Sequence, residues 1–138
     1  MEGKRPIASR SYNHNFLVFD GQAPGPDIAI TFPFPIQSPA PPDAALASLS
    51  GNQILYRKTL QGEERVMTEI TGFSKSASDY NVLVANTRTG AGVRVTGDRP
   101  LARLMLWSIR AVLSAEPFVE FSVQPGQTYN WTLTYQYQ

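Results

Sequence analysis

The chain reads as an all-β protein, an antiparallel β-sandwich. Three observations predict this. Apolar and polar residues alternate with period two along much of it. Turn-forming Gly and Pro clusters divide the alternating runs at short, regular intervals. Eleven prolines and ten glycines, set against 17% charged residues, favour strands and turns over helices. At 138 residues it reads as one domain, residues 1–138, or as part of a larger one, and is long enough to bury a core.

Taken in order, Phe16–Phe19 and Asp27–Phe32 read as the first strands, on either side of a turn segment from Gly21 to Pro26. The stretch from Pro33 to Pro42 carries five prolines, so it cannot be an interior strand and reads as a rigid connector. Pro41-Pro42-Asp43 then leads into Ala44–Leu49, the one segment predicted to be a helical turn; Asp43 or Pro42 would start it and Ser50-Gly51 would stop it. Asn52–Lys58 and Arg65–Phe73 read as a hairpin around Gln61-Gly62-Glu63. Asp79–Asn86 and Gly92–Thr96 read as another, turned by Thr87–Gly90.

Ala102–Ser108 has little polarity on either face, which predicts a strand covered on both sides. Val119, Phe121 and Val123 alternate with Glu120 and Ser122, and Pro125-Gly126 turns the chain into its last strand. There Tyr129, Trp131, Leu133, Tyr135 and Tyr137 fall on one face, predicted to be buried. The total is about nine strands.

The bulk numbers exclude several classes. Net charge is +1, and the basic residues are scattered, so nothing favours nucleic acid or an acidic membrane as partner. Cysteine is absent, which removes disulfides, thiolate metal sites and cysteine nucleophiles. One histidine without cysteine makes no ordinary transition-metal site, so no metal is expected. Gly90-Ala91-Gly92 opens no helix, so it is no nucleotide loop, and no Gly-x-Ser-x-Gly elbow occurs. No cofactor is implied. No apolar run approaches the roughly 20 residues that cross a bilayer. The charged opening from Met1 to Pro6 has no apolar stretch behind it, so a cytoplasmic location without a membrane partner is expected.

Two residues carry the chemistry. The lone histidine sits in Ser11-Tyr12-Asn13-His14-Asn15-Phe16, at the start of the first readable strand. An imidazole titrates near neutral pH and can give or take a proton unaided. Its flanking Asn13 and Asn15 can fix its tautomer or meet ligand hydroxyls. Far along the chain, Glu116 precedes Pro117 and so sits in extended backbone, where partial burial would make it a better base. Both residues also have plainer readings, a polar lead-in to a strand for His14 and an exposed edge carboxylate for Glu116. Glu120 is the natural control for the second. Trp107, Trp131 and the tyrosines suit either a sugar-stacking platform or a core. Arg110, with Arg88 and Arg103, suits hydroxyls or a phosphate, or simply solvent.

Tyr12-Asn13-His14-Asn15-Phe16, followed by Asp20-Gly21 and Gly25-Pro26-Asp27, resembles the aldose epimerase (galactose mutarotase-like) family. So does the ending from Trp107-Ser108 through Ala115-Glu116-Pro117-Phe118 to Pro125-Gly126 and Trp131. The resemblance covers most of the chain and corresponds to the later half of the family's larger β-supersandwich. It implies His14 as general acid on the sugar ring oxygen and Glu116 as general base on the anomeric hydroxyl. Asn13, Asn15, Trp107 and Arg110 would contact an aldose or a sugar derivative. The earlier half of the family's domain brings an arginine and often another histidine, and this chain has no second histidine. Asp79 and Asp98 are the candidates for the sugar-binding aspartate. A sheet matching half of a larger sandwich exposes edges and apolar faces that a homo-oligomer would cover. The alternative is a β-sandwich that binds carbohydrate, or a partner chain, without catalysis.

Overall fold

The computed structural model describes residues 4–138; the reading of residues 1–3 lies outside them. Two antiparallel sheets pack face to face. The strands are β1 (Ile7–Tyr12), β2 (Ile28–Thr31), β3 (Ala47–Ser50), β4 (Gln53–Tyr56), β5 (Arg65–Glu69), β6 (Asn81–Asn86), β7 (Gly92–Gly97), β8 (Arg103–Ile109), β9 (Leu113–Val123) and β10 (Leu133–Tyr137). One sheet has the order β1-β9-β8-β5, the other β10-β7-β6-β2-β4-β3. The predicted all-β sandwich is therefore the fold. No helix among the described residues is long and apolar enough to cross a membrane.

Alternation places the core between the sheets. Val66, Leu104, Leu106, Leu113 and Val119 point inward from the smaller sheet, and Ile30, Ile54, Val82, Val84 and Val93 from the larger, all buried in one cluster. Tyr56 crosses that core and donates its hydroxyl to Ser108 Oγ at 2.7 Å, so the polar ends of both buried side chains are satisfied. Gly97 closes β7 where the Tyr80 ring lies against its Cα, so any Cβ there would enter the ring.

Several segments differ from their sequence reading. The hairpin of residues 52–58 with 65–73 does not form: β4 pairs with β2 and β3, whereas β5 pairs with β8. The connecting loop instead carries the chain from one sheet to the other. It buries Leu60 and is closed by Lys58 Nζ donating to Glu64 Oε1 at 2.8 Å. That bond, then the Gln61 N–H, holds the exposed Glu64 carboxyl below its usual range.

The helical turn at Ala44–Leu49 is a turn followed by β3. Asp43 Oδ1 accepts from the Ala45 N–H at 2.8 Å, the cap expected of a helix start, but Ala47 and Leu49 then pair with Tyr56 and Ile54. Phe16–Phe19 forms no continuous strand, only bridges at Leu17 and Phe19. The first strand is β1, whose Ile-Ala-Ser-Arg-Ser-Tyr lacks a clean apolar alternation because most of it is exposed. His14 thus follows a strand instead of opening one. Ala102–Ser108 is covered on one face only: Leu104, Leu106 and Ser108 are buried, and Arg103, Met105 and Trp107 lie half-buried on the outside. The last strand is only five residues long at an edge, and Tyr137 is 76% exposed. Tyr129 and Trp131 precede it and stack on Phe121.

Candidate functional site on the outer face of the smaller sheet

Glu116 lies inside the 11-residue β9, not at a strand edge. Pro117 beside it lies between two neighbouring strands, β1 and β8, an uncommon place for a residue with no N–H. On the β1 side the Asn13 N–H donates to the Pro117 carbonyl at 3.2 Å, and proline cannot return the bond. The ladder then lapses until Leu17 and Leu113 exchange both bonds, at 2.8 and 3.1 Å. Tyr12 opposite Phe118 and Leu17 opposite Leu113 keep one register. Between them His14 therefore faces Glu116, and Phe16 faces Ser114.

This register builds three rows across the sheet's outer face. In the first, the Tyr12 ring stacks on Phe118 with centroids 4.5 Å apart, and the Arg103 guanidinium lies 5.8 Å from the Phe118 centroid on the other side. In the second, His14 Nδ1 lies 2.5 Å from Glu116 Oε1, and Met105 faces Glu116 from β8. In the third, Phe16 and Trp107 flank Ser114, with ring centroids 5.8 Å apart. The His14 ring also lies 4.7 Å from Phe16 and 6.2 Å from Trp107. The result is an aromatic surface with an acid–base pair at its centre.

The two members of the pair differ in exposure. The Glu116 side chain is 12% exposed and the His14 side chain 41%. The carboxylate is fixed in a central strand, whereas the imidazole sits in a stretch without ladder bonds. Ion pairs flank them: Arg10 with Glu120, largely solvated and worth little in stability, and Arg103 with Glu69, which is half-buried. Glu120, two residues beyond Glu116, is thus held by Arg10.

Asn13 and Asn15 alternate away from His14 and turn towards the other sheet. Both Nδ2 groups donate to the Tyr135 hydroxyl oxygen, at 2.6 and 2.8 Å, so the asparagines tie β1's extension to β10 instead of touching the imidazole. Beside this tie lies a cavity of about 470 Å³ lined by His14, Asn15, Phe16, Leu17, Tyr135 and Tyr137. Tyr135 packs against the core, as the alternation of the last strand predicts, and its half-burial at a sheet edge also frees the hydroxyl to reach across to this site. Nearby, burial holds the Tyr80 phenol well above its usual range, with Tyr135 adding to the effect.

The remaining sequence candidates lie elsewhere. Arg110 and Trp107 share a separate cavity of about 580 Å³ with Glu63 and Arg65, so Trp107 touches both regions and Arg110 only this one. Asp79, at the end of a short 3-10 turn (Ala77–Asp79), accepts from the Ser74 N–H, and Asp98 accepts from the Thr132 N–H in the segment before β10. Trp131 stacks on Phe121, lies tilted against Tyr129, and is not among the rings around His14. Among the described residues no three His, Cys, Asp or Glu side chains cluster to hold a metal ion. No family model matches the chain, and no curated protein or solved structure matches it.

Proposed function

We propose that the outer face of the β1-β9-β8-β5 sheet binds an aldose-type sugar, and that His14 and Glu116 are its proton-transfer pair, as in the aldose epimerases. The observation that carries this reading is the meeting of the only imidazole in the chain with a nearly buried carboxylate, among four aromatic rings. Aromatic faces suit the C–H face of a pyranose, and the pair supplies an acid and a base in one place. Glu116 would take the proton of the anomeric hydroxyl while His14 protonates the ring oxygen, so that the bond from the anomeric carbon to that oxygen breaks. The ring opens to the aldehyde, the carbonyl end turns, and closure with the transfers reversed gives the other anomer. Bonds and oxidation state return to their starting values, so the reaction consumes nothing.

At 2.5 Å the pair has no space for a pyranose between its members. Turnover therefore requires the His14 side chain to rotate away from Glu116, which its exposure and the lapsed ladder around it favour. The closed contact also supports a second reading, a sugar-binding face without catalysis. Exchange NMR of glucose and galactose anomers separates the two. Anomerisation accelerated by the chain, and lost in His14→Ala and Glu116→Gln, supports the epimerase reading. Sugar-induced shifts on this face without acceleration support binding alone. Absence of both acceleration and shifts would overturn the sugar reading.

A further inference from the structure

One polar atom on this face is out of place. Ser114 is fully buried, and its Oγ is the one buried side-chain N or O atom without a hydrogen-bond partner among the described residues. Native structures rarely leave such a group unpaired, and each case calls for a reason. Its position supplies one. Ser114 lies two residues before Glu116 on the same face of β9, so the two side chains stand about 6.8 Å apart along the strand. Above it, Phe16 from one side and Trp107 from the other lean together, 5.8 Å between centroids. Phe16 is 57% exposed and belongs to the stretch without ladder bonds, so its ring is the movable half of this cover.

We infer that Ser114 is a sugar-contacting residue of the same site, uncovered when the Phe16 ring swings off Trp107, and that its hydroxyl pairs with a hydroxyl of the bound ring beside the one that Glu116 meets. The inference rests on the sugar reading and adds to it a second polar contact and a gate. In the closed state the serine hydroxyl has lost water and gained nothing. Opening exposes Ser114 and the Trp107 face, and with His14 rotated off Glu116 the site presents a hydroxyl, a carboxylate and an aromatic plane, the polar-plus-stacking set that a polyol ring satisfies. Trp107 stays in place on the continuous strand β8 and serves as the floor.

The test is a titration of wild type, Ser114→Ala, Ser114→Thr and Phe16→Ala with D-galactose, D-glucose and D-mannose, followed by amide chemical shifts in β8 and β9, with thermal midpoints measured on the same samples. Ser114→Ala is expected to bind about 2- to 10-fold more weakly, the worth of one hydrogen bond, while its midpoint stays level or rises because an unpaired buried hydroxyl is gone. Ser114→Thr keeps a hydroxyl and restores binding. Phe16→Ala binds at least as tightly as wild type, since the cover is absent. Wild-type binding that Ser114→Ala leaves unchanged overturns the role of Ser114 and spares the sugar reading. Loss of binding in Phe16→Ala overturns the gate and makes that ring part of the platform. Absence of binding by every chain overturns both inferences together.

Discussion

Tyr135 joins Asn13 across the seam of the sandwich: the asparagine Nδ2 donates to the tyrosine hydroxyl oxygen at 2.6 Å, and Asn15 donates to the same oxygen at 2.8 Å. The two sheets are thus pinned at the edge that carries His14. Tyr135→Phe removes the shared acceptor and leaves both amides to solvent. A loss of about 1–2 kcal/mol in urea unfolding is expected, two modest bonds at a partly exposed site. The His14 and Phe16 resonances should broaden or shift while β2, β4 and β6 stay unmoved.

Removing either member of the central pair has unequal structural effects. His14→Ala leaves the Glu116 carboxylate, in a residue 9% exposed, without its closest partner, and should cost about 1–3 kcal/mol in stability. Glu116→Gln keeps shape and polarity and should cost less. If the pair moves protons for a sugar, each substitution lowers the anomerisation rate about a hundred- to ten-thousand-fold. Both effects are read from one preparation by denaturant titration and exchange NMR.

The buried tyrosine at the centre of the core sets an alkaline limit. Burial pushes the Tyr56 phenol up to about 12 from 10.0, the bond to Ser108 opposing in part. The neutral form is favoured in the folded chain, so its contribution is complete below pH 10. Above that the unfolded chain ionises first, and stability falls as pH rises from about 10 to about 12, by roughly 3 kcal/mol at most. Tyr80 acts in the same direction. Tyr56→Phe should remove its part of this alkaline loss. At neutral pH it should cost about 1–2 kcal/mol by orphaning the buried Ser108 hydroxyl. Chemical unfolding at neutral and alkaline pH checks both signs.

Gly97→Ala tests the close approach at the end of β7. The added methyl enters the Tyr80 ring, a large and buried group that cannot move aside. A cost of about 1–3 kcal/mol is expected from overpacking, with β10 displaced because Leu133 pairs with Gly97.

Much of the fold was legible in the sequence where the signal is local. The hairpin of β6 and β7 follows from its alternation and its Thr87–Gly90 turn, and Pro125-Gly126 turns the chain after β9. What escaped depends on partners far along the chain. Nothing near Gln61 says that β4 and β5 belong to different sheets, because each alternates correctly for either. β1 is masked by exposure, since an edge strand facing solvent on much of its length needs no apolar face. Asp43 gives the same capping bonds to a turn before a strand as to a helix, so only the cross-strand partners of Ala47 and Leu49 decide between them. In the site, His14 and Glu116 stood out by scarcity and context. Tyr135 and Ser114 did not, because a phenol reaching across a seam and a hydroxyl left without a partner are properties of geometry, not of composition.

The proline in the middle of β9 has one more consequence. Because Pro117 cannot answer Asn13, the exchange between Asn15 and Ala115 is also missing, although the register provides for it. Among the described residues the Ala115 amide therefore has no backbone acceptor, although its strand is flanked on both sides. In deuterated water it should label far sooner than the amides of Leu113 and Val119, a single fast probe inside an otherwise slow strand. A ligand that settles over this gap would slow it, so one amide hydrogen reports occupancy of the face without any substitution.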